Sequence, residues 1–420
     1  MNKKIILLGC LLTMNTAIYA QEEKQDPVKE LEQQTQLLQD DIKSLKQFMV
    51  SGYVQTQFQY GEKNASLKVG SVNTDLNKDF SRFGIRRGRI KFQFERGIAL
   101  GVFQLDMTDK GVSIKDAYLN VKIPRLGNSS IKAGIFDRPF GYEIAYSSSR
   151  RESPERATVI TTLFPDERDL GLMLTLQAPK TSSWNFLKLE AALVSGNSIK
   201  LDMDNRKDFI GHLSANKNIN EKYNISGGIS YYKGSTYQGS SSVYKMNGNK
   251  FEGSTDTSHF GAFANREYIG VDAQFATITS IGTTQLYGEF LTGVQPGDKS
   301  SSKSPNYSTL PTNDTYIRNF TGGYITLAQD LGKVPLVLVL KYDNYDPNSK
   351  VSKNDIGLNG TGKGDIAYQT IGTGLIWKIN NTMRLTGYYD WIKNETSTLL
   401  KGYDKDIADN AFTLRFQYKF

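Results

Sequence analysis

Cysteine is all but missing from this chain. Cys10 is the single one among 420 residues, and it falls in the segment expected to be removed on export. One cysteine excludes a disulfide framework and a cysteine-ligated metal site. Leu7-Leu8-Gly9-Cys10 resembles a lipoprotein box, but the apolar stretch before it is short and continues past it. Histidine is nearly as scarce. His212 and His259 are far apart and have no recognisable nucleophile pattern beside them, so neither a histidine metal cluster nor a hydrolase is expected. Beyond the first twenty residues no apolar run is long enough for a membrane-spanning helix. Residues 357–363 have the spacing of a phosphate-binding loop. Gly364 stands where Ser or Thr is required, however, and no strand-to-helix switch surrounds it. The sequence therefore calls for no cofactor.

The first twenty residues read as an export signal: Lys3 and Lys4, a mostly apolar stretch over 5–12, then small and polar residues up to Ala20. Residues 21–50 read as a short coiled-coil helix lying in the periplasm. Asp26 can cap it and Pro27 suits the first helical position. Val28, Thr35, Ile42 and Met49 share one heptad position, and Leu31, Leu38 and Leu45 the other. The period of 3.5 favours self-association, with an amphipathic helix lying on its own domain as the alternative.

From Gly52 onward the period becomes two. Ile90, Phe92 and Phe94 alternate with Arg89, Lys91, Gln93 and Glu95, and Leu170, Leu172, Leu174 and Leu176 alternate with Gly171, Met173, Thr175 and Gln177. Such dyads predict strands with one apolar face. Sixteen are predicted: 51–60, 81–95, 98–108, 112–123, 129–137, 170–179, 184–194, 206–216, 222–233, 264–276, 282–294, 316–329, 334–344, 366–379, 382–394 and 408–420. Their connections mostly alternate between tight turns, such as Arg96-Gly97 and Asn380-Asn381, and long stretches rich in Ser, Gly, Asn and Lys at 61–80, 138–169, 234–263, 295–315 and 345–365. The short connection 109–111 is the exception. This alternation predicts an all-β transmembrane antiparallel β-barrel of about 16 strands over 51–420, in the outer membrane of a Gram-negative bacterium. A soluble sandwich has no reason to alternate its loops so regularly. Tyr388, Tyr389 and Trp391 are candidate girdle residues at the lipid interface. The chain closes on Phe412, Leu414, Phe416, Tyr418 and Phe420, with Thr413, Arg415, Gln417 and Lys419 on the other face. A strand that ends on an aromatic residue looks like the signal read by barrel insertion machinery.

Charge is unevenly spread. Residues 80–170 hold eleven of the sixteen arginines, and sixteen basic against eleven acidic residues. If Ile90, Phe92 and Phe94 face lipid, Arg87, Arg89 and Lys91 must face the lumen, because a basic side chain at mid-membrane would cost about 2–4 kcal/mol. Their alternative role is to brace the wall against Glu95, Asp106 or Asp116. Nucleic acid binding is not expected, since the basic residues lie in alternating strands with no binding motif.

The stretch 83–171 resembles the phosphate-selective porin O and P family. The resemblance is carried by Phe83-Gly84-Ile85-Arg86-Arg87-Gly88-Arg89, Gln104-Leu105-Asp106, Lys115-Asp116-Ala117-Tyr118, Lys132-Ala133-Gly134-Ile135-Phe136, Arg138-Pro139-Phe140-Gly141, Ser147-Ser148-Ser149-Arg150, Pro154-Glu155-Arg156 and Asp169-Leu170-Gly171. It implies a homotrimer of 16-stranded barrels. In each, an inward third loop, here 138–169, narrows a pore that passes small anions such as phosphate. The anion-binding or pore-lining candidates are Arg87, Arg89, Lys91, Lys115, Arg138, Arg150, Arg151, Arg156 and Arg168. Glu152, Glu155, Asp166, Glu167 and Asp169 could instead tie the loop arginines into a salt-bridge network. Pore lining is expected of Arg150 and Arg151, and bracing of Arg156 and Arg168. The best-studied members of that family carry a ladder of arginines along the pore, from loops and barrel wall; 206–233, with Arg206, Lys207, Lys217, Lys222 and Lys233, shows no regular arginine alternation. A surface receptor or adhesin using the long loops is the alternative function, and an outer-membrane enzyme is the more remote one.

Overall fold

A computed structural model of the chain describes residues 31–32, 34–36 and 47–420. The export signal lies outside them, as does most of the heptad seam, of which 31–32 and 34–36 are helical.

The remainder is strands. In chain order they are β1 (Phe48–Gly61), β2 (Phe80–Arg96), β3 (Ala99–Thr108), β4 (Gly111–Lys122), β5 (Ser130–Asp137), β6 (Arg168–Gln177), β7 (Leu187–Val194), β8 (Asp208–Asn218), β9 (Tyr223–Tyr237), β10 (Ser242–Asn247), β11 (Lys250–Thr255), β12 (Phe263–Thr279), β13 (Gly282–Gly297), β14 (Thr315–Asp330), β15 (Leu336–Asp346), β16 (Tyr368–Lys378), β17 (Met383–Asn394) and β18 (Ala411–Lys419). Sixteen of these pair antiparallel with their neighbours in order. β18 returns to β1, with Tyr53 opposite Lys419 and Gly61 opposite Ala411. The sheet is thus a closed 16-stranded barrel without a free edge. All sixteen predicted strands are present, with ends displaced by no more than four residues. β1 starts at Phe48, so Met49 belongs to a strand and not to the last heptad.

β10 and β11 lie outside that count. They form a hairpin within the loop between β9 and β12, and β10 also pairs parallel with the first residues of β14. The stretch 234–263 is therefore not a plain loop. Its turn is the two residues Gly248-Asn249, with Gly248 at φ 60°, the first central position that a II′ turn reserves for glycine. The local signal was present, but it was hidden among the surrounding Ser and Gly residues.

The pleat sorts side chains as the dyads require. In β6, Leu170, Leu172, Leu174 and Leu176 are 36–56% exposed on the outside, whereas Asp169 and Met173 are buried inside. An apolar outer face around a closed barrel and a charged interior invert the arrangement of a soluble protein, and they place this barrel in the outer membrane. Tyr389 and Trp391 face outward with rings 4.6 Å apart. Tyr388 does not join them: its parity turns it inward, where it is buried with Val339 and Ile376.

Two β-bulges break the parity where it matters. Gln55 opposes Arg87 but Thr56 opposes Ile85, leaving Arg86 as an extra residue in β2. Gln104 opposes Asp116 but Leu105 opposes Ile114, leaving Lys115 extra in β4. With two residues set against one, Arg86 and Arg87 both turn inward, and so do Lys115 and Asp116. The loop between β5 and β6, residues 138–167 and hereafter loop 3, folds into the lumen to meet them. It carries the helix α1 (Thr158–Leu163).

Candidate functional site

Loop 3 crosses the barrel and is anchored on several walls. Its first arm starts at Gly141, whose φ is 61°. A Cβ there would lie 2.1 Å from Glu289 Oε2, so glycine is needed for the close approach. The Tyr142 N–H donates to Glu289 Oε1 at 2.9 Å, the Glu143 N–H donates to the same oxygen, and the Tyr324 hydroxyl donates to it at 2.8 Å. Successive backbone N–H groups make a ready anion cradle, here filled by a wall carboxylate. Lys341 reaches Glu143 at 3.3 Å, and Asp343 accepts from the Thr158 N–H at 2.7 Å.

The middle of the loop is held by the seam where the barrel closes. Tyr53 bonds Ser148 at 2.6 Å, Gln417 donates to the Ser149 carbonyl, and Arg384 donates to the carbonyls of Arg150 and Arg151. Beyond it, α1 and the residues around it are apolar. Val159, Ile160, Leu163 and Phe164 sink among Phe140, Ile210, Tyr232, Tyr268, Phe320 and Tyr345. This core fills one side of the lumen.

The bulges supply the remaining anchors. Arg86, Arg87 and Arg415 converge on Glu155 at 2.7–2.9 Å. Lys115, Arg156 and Arg168 surround Glu167. Burial pushes each carboxyl up, yet the surrounding cations hold both well below the usual carboxylate range.

Most of the predicted cations are therefore engaged in holding the loop. Arg87 serves Glu155 and Gln55. Arg89 pairs with Asp106 at 3.3 Å. Lys115 lies 3.9 Å from Glu167. Arg138 is buried against Asp169 and Ser198, both bonds near 2.9 Å. Arg156 bonds Glu167 and the carbonyls of Glu143 and Ile144. Arg168 bonds Asp116, Asp137 and Glu167. Arg151, expected at the pore, is 1% exposed and donates to the loop's own Ser153 and Pro154 carbonyls. Of the nine, Lys91, Arg150 and Arg151 have no ion pair among the described residues, and of these Lys91 and Arg150 line a cavity. In 206–233 no arginine ladder forms; Lys233 points outward and pairs with Glu267 at 2.7 Å. His212 faces the lumen, 3.2 Å from Asp272.

Arg86, Lys341, Arg384 and Arg415 were not among the predicted site residues. Arg86 sits on the lipid-facing parity until the bulge flips it, so no period-2 reading could have found it. Arg415 was legible, since it shares the polar face of β18 with Thr413 and Gln417.

Two cavities lie under loop 3, on the short-turn side, and meet at Asp137, Ala145 and Tyr146. One, of about 340 Å³, is bordered by Arg89, Lys91, Arg150, Arg156, Arg168 and Lys419 against only two carboxylates, Asp116 and Asp137. The other, of about 660 Å³, is lined by aromatic, amide and hydroxyl groups with balanced charge.

No protein-family model and no curated protein matches the chain in sequence. Solved structures do match in shape. The outer-membrane channel DcaP of Acinetobacter baumannii aligns over 89% of this chain and 97% of its own, with TM-score 0.52 and 13% identity. OprB of Pseudomonas putida aligns over 92% and 96%, with TM-score 0.56 and 11% identity. The outer-membrane protein OmpT of Vibrio cholerae, solved in a trimer form, aligns over 89% and 99%, with TM-score 0.50 and 10% identity. The chain has the fold of outer-membrane porins.

Proposed function

We propose that this protein is a passive diffusion channel of the outer membrane, and that it favours small anions such as phosphate. The observation that carries the reading is the 340 Å³ cavity beneath loop 3, where Lys91, Arg150 and Lys419 face the lumen without an ion pair among the described residues. Solutes cross down their gradient, and selectivity follows from width and charge. Lys91 and Lys419 supply point charges, whereas Arg150 offers a planar fork for two charge-assisted bonds to one oxyanion. Three moderate contacts suit a channel better than a deep site, because the ion must also leave. Arg89, Arg156 and Arg168 add to the field while remaining bound to carboxylates. The resemblance of 83–171 to the phosphate-selective porins supports the same reading. Assembly as a homotrimer, and delivery to the insertion machinery through Phe420, belong with it.

The test is a planar bilayer containing the purified folded protein, with phosphate titrated into a chloride-conducting solution. Stepwise channels whose chloride current falls at low phosphate, and whose block weakens in Lys91→Gln and Arg150→Gln, are expected. Channels indifferent to phosphate would remove the anion preference and leave the channel. Folded barrels that never conduct would end the channel reading and bring forward a surface receptor or adhesin.

A further inference from the structure

The two cavities beneath loop 3 differ in chemistry and share a border. We infer that together they form one bipartite site for an acidic sugar, a polyhydroxyl body bearing a phosphate or carboxylate. This rests on the anion-favouring channel reading and names the class of solute.

The smaller cavity holds the charge, with Lys91, Arg150 and Lys419 free to meet an oxyanion. The larger one is suited to the uncharged body attached to that oxyanion. Its charged groups already have partners: Lys188 pairs with Glu190 at 2.8 Å, Arg138 with Asp169, and Asp272 lies 3.2 Å from the His212 ring. Lys132 lies over the Tyr118 ring, 4.8 Å from its centroid. A second ion gains little there. What the wall does offer is rings and amides. Tyr142 and Tyr146 stack at 4.9 Å on the loop side, and Phe186 stands on the β6–β7 turn side. Gln177, Asn185, Asn216 and Gln274 lie among them. Rings present flat apolar faces to the C–H side of a sugar ring. Amides both donate and accept, as adjacent hydroxyls require. A bare phosphate would use the first cavity alone, and a neutral sugar the second alone. Tyr146 borders both, so one molecule can occupy both at once. The combined space is of the size that takes a small organic ligand.

The experiment compares glucose 6-phosphate, inorganic phosphate and glucose as blockers of chloride current through the full-length protein in a planar bilayer. Glucose 6-phosphate is expected to block at a concentration about tenfold lower than phosphate, and glucose only weakly. Lys91→Gln should weaken block by both phosphates. Phe186→Ala and, separately, Asn216→Leu should weaken only block by glucose 6-phosphate, leaving the phosphate value in place as proof of an intact channel. Block by glucose 6-phosphate no stronger than by phosphate would overturn the inference and spare the anion reading. So would block unchanged in both body-side variants, or glucose blocking equally well. Conducting channels that ignore both phosphates would sink the anion reading, and this inference with it.

Discussion

Arg86 and Arg87 are consecutive in β2, yet both guanidinium groups reach the same carboxylate. Arg86 donates to Glu155 twice at 2.8 Å and Arg87 once at 2.9 Å. In a regular strand one of them would face lipid. The bulge makes the pair possible, and Arg415, reaching across from β18, completes a three-cation clamp on the loop. Removing one partner of a buried pair is commonly worth about 3–5 kcal/mol. The low end applies here, since the Glu155 side chain keeps 22% of its exposure. Glu155→Gln should therefore loosen loop 3 around residue 155 and leave the barrel closed. Single-channel recordings should show larger, noisier steps, while the folded band on an unboiled gel stays in place. Quiet steps of unchanged size would mean that the clamp does not hold the loop.

Acid should undo the same clamp, but only strong acid. Both Glu155 and Glu167 are held well below the usual carboxylate range by their cations, against the upward push of burial. A depressed pKa contributes stability that is complete above the free value of about 4.3 and is lost as pH falls through the docked value. Channel noise should stay flat from pH 7 to about pH 5 and rise only below the free carboxylate range. A rise already at pH 6 would point to a different titrating group.

How much of this could be read beforehand divides along a physical line. Strand number, closure and outward leucines follow from period two, which the bilayer enforces on every strand. The stretch 138–169 stands out in the sequence because it is long, carries five arginines and falls where the family resemblance implies an inward third loop. What the sequence left open was which of two uses each cation serves. Arg150 and Arg151 are identical in type and adjacent, yet one is exposed to a cavity and the other is buried against its own loop's carbonyls. Only the loop's path decides that. The residues that carry the family resemblance, among them Arg86, Arg87, Lys115, Asp116, Arg138, Glu155 and Arg156, are mostly anchors of loop 3. The groups left facing the cavity, Lys91 and Lys419 among them, lie mainly outside those motifs.

Loop 8, residues 395–410, should respond to pH in the opposite sense. Burial, with Asp406 and Glu62 nearby, pushes the Asp409 carboxyl up to about 7. A raised pKa means that the packed loop is favoured most with the group protonated, and that this advantage is lost as pH climbs through about 7. Amide exchange over 404–410, corrected for intrinsic rates, should be slower at pH 5.5 than at pH 8. In Asp409→Asn the difference should vanish. If the variant keeps it, Asp409 is not the group responsible.

The seam itself offers the last test. Gly52 and Phe420 exchange both backbone hydrogen bonds at 3.0 Å, and the Phe420 ring folds back over the glycine. A Cβ at Gly52 would stand 2.4 Å from the Arg89 carbonyl oxygen and 2.5 Å from Phe420 Cζ. The ring could swing away, but the β2 backbone could not without straining the ladder. Gly52→Ala should thus cost about 1–3 kcal/mol, the usual range for forcing bulk into a packed position. It should lower the temperature at which the folded band disappears on a gel. Gly387→Ala is the matched control, since it lies in β17 where an added Cβ meets nothing within 4 Å, and its transition should not move. Equal shifts in the two would mean that loss of glycine in any strand is enough. A shift confined to Gly52 would assign the cost to the close approach of the first strand to the Arg89 carbonyl of β2.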